Sequence, residues 1–291
     1  NLYNEITRNL FVEQTNPVEN GFPFSQLDVN AGKMRNRGIE VNVNADIIRS
    51  ADLAWSVNGN FSYNQNEITD LGQVSEYPAG TAIIRKGLPL GSHYAVKWAG
   101  VDPATGKPLY YTKDGKLTDV FSDANSVAEF GTYFAPYTGG FGTTLSYKGI
   151  ELSAFFNFQY KFSRFNNQDF FQLNHAFAAQ GYNVRKEMLT MWTKPGDITN
   201  IQSPLYQREF SSKDIQDASY LRFRNLMLSY TLPQTVTSKL KVVKKLRFYG
   251  QAQNLYTWTN WTGFDPEDNN NIAQYEYPLP RIFTVGVDVD F

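Results

Sequence analysis

The feature that most limits what this chain can become is an alternation of apolar and polar residues, with a period of two, that returns in segment after segment. In RIFTVGVDVDF, residues 281–291, one side of an extended chain carries Phe283, Val285, Val287, Val289 and Phe291. The other side carries Thr284, Gly286, Asp288 and Asp290. GIEVNVNADI sets Ile39, Val41, Val43, Ala45 and Ile47 against Glu40, Asn42, Asn44 and Asp46. LAWSVNGNFSYN sets Leu53, Trp55, Val57, Phe61 and Tyr63 against a side of Ala, Ser and Asn. The same holds for Phe141, Leu145 and Tyr147, for Leu152, Ala154, Phe156, Phe158 and Tyr160, and for Leu246, Phe248, Ala252, Tyr256 and Trp258. Segments of this length suit the ~9–11 tilted residues that cross a bilayer as a β-strand.

One segment changes parity. In SYLRFRNLMLSYTLP, Leu221 and Phe223 share one side while Leu226, Leu228 and Tyr230 share the other, which places a bulge or a strand start near Arg224 and Asn225. The opening NLYNEITRNLFVEQT alternates weakly and reads as a partial strand. Together the segments give about eight strands, near 2–12, 36–48, 52–66, 139–148, 151–162, 219–232, 245–258 and 280–291. Their connections alternate long and short without exception: 13–35, 49–51, 67–138, 149–150, 163–218, 233–244 and 259–279. A transmembrane antiparallel β-barrel pairs short turns on one side with long loops on the other. Tyr63, Tyr147, Tyr160, Tyr230, Tyr256 and Trp258 collect toward strand ends, where an interfacial aromatic girdle sits.

The competing architecture is a soluble β-sandwich, whose strands alternate as well. Connections of fifty to seventy residues and strands beyond the usual five or six argue for the barrel. No stretch approaches 18 consecutive apolar residues, so a spanning helix is excluded. Twenty-seven basic residues against 28 acidic ones, with a pI near 6.2, supply no field to recruit nucleic acid. There is no cysteine, hence no disulfide framework and no thiolate metal site.

Several stretches carry a specific resemblance. ASYLRFRNLMLSYTLP (218–233), KLRFYGQAQNLYTWTNWTGFDPE (245–267) and the closing YPLPRIFTVGVDVDF resemble the C-terminal signatures of SusC/RagA-like TonB-dependent outer-membrane transporters. GKMRNRGIEVNV (32–43), NGNFSYNQNEITDL (58–71), GLPLGSHYAVKWAGVDPATGKPLYY (87–111) and YTGGFGTTLSYKGIELSAFFNF (137–158) match the same family in order and spacing. The match covers nearly the whole chain and is weakest over 163–216.

The resemblance implies a 22-stranded barrel around an N-terminal plug in the outer membrane of a Gram-negative bacterium. It also implies drive from TonB and a SusD-like surface lipoprotein as a lid. On that reading residues 1–291 are the C-terminal portion of the barrel domain, with the plug and the TonB-contacting segment outside this chain. Phe283, Val285, Val287, Val289 and Phe291 then resemble the terminal signal read by the outer-membrane assembly machinery. The implied task is import of a large nutrient, an oligosaccharide or a peptide, without catalysis. The alternative is a soluble or surface-attached carbohydrate-binding β-protein.

Residues for chemistry are sparse. His93 and His175 stand in no metal or triad spacing and read as loop residues, so no catalytic pair is expected. The acidic stretches DPATGK (102–107), KDGKLTD (113–119) and DPEDNNN (265–271) suit calcium by their oxygen content, and equally suit tight turns; no other cofactor is expected. For substrate contact the segment KFSRFNNQDFFQLNHAF (161–177) stands out. It mixes Arg164, Asn166, Asn167, Gln168 and Asp169 with Phe165 and Phe171, hydrogen-bonding groups beside ring faces as sugar or peptide recognition requires. The competing role for these aromatics is packing the loop against its neighbours.

Overall fold

In a computed structural model of the chain, residues 1–15, 26–240, 242–268 and 270–291 are described. They form an eight-stranded antiparallel sheet in which each long strand pairs with its neighbour in sequence. The strands are β1 (Leu2–Thr15), β2 (Gln26–Arg49), β3 (Leu53–Asp70), β4 (Tyr137–Tyr147), β5 (Ile150–Tyr160), β6 (Tyr220–Thr231), β7 (Lys245–Thr259) and β8 (Ile282–Asp290). The even meander leaves only β1 and β8 as edges. Residues 50–52, 148–149 and 232–244 connect the strands at one end, and 71–136, 161–219 and 260–281 at the other. The first long connection, expected over 13–35, narrows because β1 and β2 run to Thr15 and from Gln26; residues 16–25 lie outside the described residues.

Register places like beside like. Val41 faces Phe61, Phe141 faces Phe156, Leu145 faces Leu152, and Phe248 faces Val287. Along this face the rings of Phe141, Phe156 and Phe223 stack, with centroids 5.1 and 4.5 Å apart. Tyr63, Tyr137 and Tyr160 line up across β3, β4 and β5 near the loop end, and Tyr147 and Tyr230 flank Ile150 at the opposite end. Past Tyr63 and Ile39 the same side of β2 and β3 turns charged, with Arg35 bonded to Glu67 at 2.6 Å. These two strands, of 24 and 18 residues, therefore outrun the apolar band and continue into the loop layer.

Local chemistry explains the turns and the irregularities. Lys148 and Gly149 close the β4–β5 hairpin with φ of 47° and 88°, the doubly positive pair of a type I′ turn. Glycine is required at the second position, since a Cβ there would lie 2.6 Å from the Thr231 carbonyl oxygen. The bulge read near Arg224 is present: β6 skips that residue in its pairing with both β5 and β7. A second irregularity corrects the reading of β1 as a partial strand. Pairing with β2 continues over the full 14 residues, but Asn9, at φ 59°, is bypassed and switches the exposed apolar residues from Leu2 and Ile6 to Phe11.

The buried core is not under the sheet. It lies in the loop layer, where residues 71–136 fold into small sheets built on Ala95–Val101, Pro108–Tyr111 and Ala82–Arg85. Ile83, Val96 and Tyr110 are buried there, and Tyr110 holds the rings of Trp98 and Phe121 edge-on at 5.4 and 5.3 Å. A second cluster, Phe162, Ala218, Tyr220, Trp261 and Ala273, joins the other two long connections.

Candidate functional site

The polar side of the sheet and the loop layer meet at two arginines, Arg222 and Arg224, two residues apart on β6. Arg222 belongs to the polar side of β6; the bulge lets Arg224 stay on that side while Leu226 returns to the apolar one. Both guanidinium groups bind the DPED stretch of the last loop. Arg222 pairs with Asp265, and through Nη1 with Glu267 at 3.2 Å. Arg224 Nη2 donates to both Glu267 oxygens at 2.5 Å, Nε to Asn157 at 3.1 Å and Nη1 to Asn254 at 3.1 Å. Asp265 also accepts from the backbone N–H of Glu267 and of Leu279, at 2.9 and 3.1 Å. The 260–281 loop is thereby drawn over the polar side of the sheet.

Arg164 fastens the same loop from above. It lies in a short strand, Ser163–Phe165, paired with Ile215–Asp217. Its Nε donates to Asn270 O at 2.7 Å, Nη1 to Asp265 O at 3.0 Å and Nη2 to Asp268 Oδ2 at 2.7 Å, while its guanidinium stands 5.2 Å from the Trp261 ring. Only 1% of Arg164 is exposed, and its side chain bonds through all three nitrogens. A buried ion of this kind is tolerated because each of its nitrogens finds an acceptor, one of them a carboxylate.

The rest of the segment singled out for substrate contact turns inward as well, a correction to that expectation. Asn166, fully buried, caps the short helix Asn167–Gln172 by accepting from the Asp169 N–H, and donates to Gln216 and Thr262. Asp169 accepts from Gln216 at 2.8 Å and Thr262 at 3.0 Å, and pairs with Arg185. Phe165 packs 5.3 Å from the Phe210 ring, and Phe171 lies edge-on to Phe170 and Phe177. Gln168 is buried too, its Nε2 without a partner among the described residues. The physical reason is geometric: the short strand faces Ile215–Asp217 and the last loop, which consume the hydrogen-bonding groups. Asn167 and Phe171 remain half-buried, and Asn167 lines a cavity of about 340 Å³ where the three long connections meet.

The acidic stretches are occupied from within. Asp102 accepts from the Ala104 N–H and the Thr105 hydroxyl, hydrogen bonds that, the Thr105 hydroxyl foremost, hold its carboxyl below the usual range. Asp119 pairs with Lys107 at 2.6 Å, and Asp265, Glu267 and Asp268 face arginines; Asn269 lies outside the described residues. Among the described residues no three carboxylates or histidines gather at metal distance. His93 is buried, with Nε2 2.8 Å from the Ser163 carbonyl and Nδ1 unpartnered, and burial pushes its pKa down.

On the polar side of the sheet, below the loop layer, a cavity of about 510 Å³ opens beside Asn36, Asn64, Asn66, Thr138 and Gln159. Tyr133, Phe134 and Phe162 form its roof, and Asp268 its one charged edge among the described residues. The sequence reading missed this place. Its signal was the run of asparagines on the polar parity of β2 and β3, legible only once the 71–136 loop is known to fold back over them. Phe283, Val285, Val287, Val289 and Phe291 lie at the far margin, exposed on the apolar side of the edge strand β8.

A sheet dressed in apolar residues on one side and in amides and pinned loops on the other is a wall of a transmembrane barrel. Known proteins give this wall a family. The chain is 25% identical over 348 residues to TonB-dependent receptor P39 of Formosa agariphila, a match covering 99% of this chain and 33% of the relative. TonB-dependent receptor SusC of Bacteroides thetaiotaomicron is 25% identical over 293 residues, 94% of this chain and 28% of that protein. The RagAB peptide importer in its open-open state superimposes with a TM-score of 0.90 at 30% identity, over 100% of this chain and 32% of that one. No protein-family model matches the chain. The chain is SusC/RagA-like, similar in sequence and fold to these TonB-dependent receptors and to the RagAB importer, and spans about a third of the length of the relatives it matches. Those relatives are receptors and transporters, not enzymes.

Proposed function

We propose that this chain is the C-terminal part of a barrel that imports a large nutrient, an oligosaccharide or a peptide, across the outer membrane. A plug and a TonB-contacting segment precede it in the whole protein, and a SusD-like surface lipoprotein closes the loop end. The observation that carries the reading is the inversion of the sheet: large apolar side chains such as Val43, Phe141, Leu152 and Phe283 stand exposed, while buried polar groups fill the loop layer. In water such a surface would drive association; in a bilayer it is the matching solvent. The similarity to RagAB, a peptide importer, and to the receptor SusC supports import as the task.

On the same reading, Phe283, Val285, Val287, Val289 and Phe291 supply the row that the assembly machinery reads. Import depends on TonB, so uptake should stop when the proton-motive force is collapsed. The test is deletion of the full-length gene in its host, followed by growth on oligosaccharides and on peptides as sole nutrient. Loss of growth on one class supports the reading and names that class. Extraction of the full-length protein into buffer without detergent would instead favour a carbohydrate-binding β-protein.

A further inference from the structure

The polar side of the sheet is lined by carboxamides and hydroxyls instead of charges where β2, β3, β4 and β5 pass beneath the 71–136 loop. Three of these amides hold one another in place. Asn36 Oδ1 accepts from Asn66 Nδ2 at 2.8 Å and Asn64 Nδ2 at 3.3 Å; Asn66 Oδ1 accepts from the Leu90 N–H, and Asn64 Oδ1 from the Tyr3 hydroxyl. The Asn36 amide N–H₂, the Thr138 hydroxyl and the Gln159 carboxamide are left with no partner among the described residues, half-buried at the cavity wall. Such groups offer donors and acceptors without a fixed charge.

The rings opposite them are also fixed. Tyr133 and Phe134 lie 4.5 Å apart at 43°, and a Cβ on Gly91 would come within 2.9 Å of both rings. The His93 ring supports Tyr133 from behind at 6.0 Å. The one charged residue at the cavity among those described, Asp268, already binds Arg164 at 2.7 Å. A volume of about 510 Å³ falls within the ~300–1,000 Å³ typical of small-molecule sites.

We infer that this cavity, with Gln159, Thr138 and Asn36 on its floor and Tyr133 and Phe134 on its roof, is a recognition site for uncharged saccharide units of the cargo. The inference rests on the import reading above and narrows it. Vicinal hydroxyls each donate and accept, as carboxamides do, and the apolar face of a sugar ring lies against an aromatic ledge. An anionic saccharide would bring its charge toward Asp268. A peptide bound by strand addition would need an unpaired strand edge, and all four strands of this wall are paired on both sides.

The test uses the full-length protein in detergent and binding measured by calorimetry. The probes are neutral gluco-, manno- and xylo-oligosaccharides, an oligogalacturonate, and an uncharged Gly/Ser heptapeptide. At least one neutral saccharide should bind at least tenfold more tightly than the other two probe types. Gln159→Ala and Tyr133→Ala should each weaken that binding by roughly tenfold, the effect of one lost interaction of about 1.4 kcal/mol. Unchanged heat-modifiable migration on gels shows that each variant barrel has assembled. Thr138→Val, nearly isosteric, serves as the second variant if either alanine barrel fails. Equal binding of parent and variants, preference for the anionic saccharide or the peptide, or no binding of any neutral probe overturns the site. Uptake by cells is scored separately: TonB-dependent uptake of peptide alone would sink this inference and leave the transporter standing, whereas no TonB-dependent uptake of any class would sink the transporter reading itself.

Discussion

The sheet and the loop layer of this molecule obey opposite rules. Along the sheet, Val43, Leu152, Val285 and Phe283 stand in the open, and the side chains on the opposite side are polar, amides and hydroxyls together with charged residues such as Glu40, Arg222 and Asp288. In the loop layer Ile83, Val96, Tyr110 and Trp261 are inside, and even Arg164, Arg208 and Asp214 are buried, each with an ionic partner. One chain with a mean hydropathy of −0.43 does both, because only half of each spanning strand meets lipid while the loop layer folds as proteins do in water. The contrast teaches that burial is defined by the solvent on each side, and that a substitution must be judged by the layer it enters.

The sharpest break in that contrast comes where the two layers join. Arg222→Ala leaves the Asp265 side chain, 9% exposed, with its two backbone donors but without its ionic partner, and should cost about 3 kcal/mol, the low end of the penalty for breaking a buried pair. Hydrogen exchange on the full-length protein should show residues 260–281 opening while the backbone of β7 and β8 stays protected. Unchanged protection of the loop would mean that the arginines do not hold it.

Next in size is the lipid side. Val287→Lys should destabilise the assembled barrel by ~2–4 kcal/mol if it sits near the midplane, measured by urea unfolding in a bilayer. Asp288→Lys, one residue on and 3.4 Å from Arg247, loses a partly exposed pair and sets two cations opposite each other, and should cost no more than about 1 kcal/mol. Equal effects from the two would erase the distinction between the faces.

A smaller effect is expected at the β4–β5 turn. Gly149→Ala must hold a left-handed conformation and push against the Thr231 carbonyl, at a cost of about 1–2 kcal/mol, visible as slower barrel folding or a lower Tm.

The mildest test is in the loop layer and depends on pH. Burial holds His93 below its ordinary pKa of 6.5, so the unfolded layer takes up a proton before the folded one. Stability from this group is therefore complete above about pH 6.5 and falls as the solution is acidified below it, by at most about 1.4 kcal/mol per pH unit. His93→Gln should flatten that part of the profile, read from exchange of amides in 92–94. A loop layer equally stable at pH 5 and 8 in the parent would contradict it.

The sequence was legible where structure is local. Period-two alternation located seven of the strands to within a few residues, apart from the loop-side extensions of β2 and β3, and the parity switch after Phe223 located the bulge at Arg224. It read β1 only as a weak, partial strand because Asn9 shifts the alternation, and it cut β2 and β3 short because their charged ends look like loop. The candidate site was read less well. Arg164, Asn166 and Asp169 carry the composition of a binding loop, yet their partners lie about fifty to a hundred residues away in Gln216, Thr262 and Asp268, and no periodicity announces such pairings. The amide-lined cavity was hidden for the same reason: its floor is strand and its roof is loop.

The account stands on the assignment of the two faces, and one measurement addresses it directly. These 291 residues hold no cysteine, so single cysteines introduced at residues 282–290 of the full-length protein, with any cysteine elsewhere replaced, can carry spin labels in a lipid bilayer. Accessibility to oxygen, which concentrates in lipid, should peak at Phe283, Val285, Val287 and Val289. Accessibility to a water-soluble nickel chelate should peak at Thr284, Gly286 and Asp288, out of phase by one residue. A profile without alternation, or one in which the odd positions meet the chelate, would mean that this apolar side does not face lipid and that the barrel assignment is wrong.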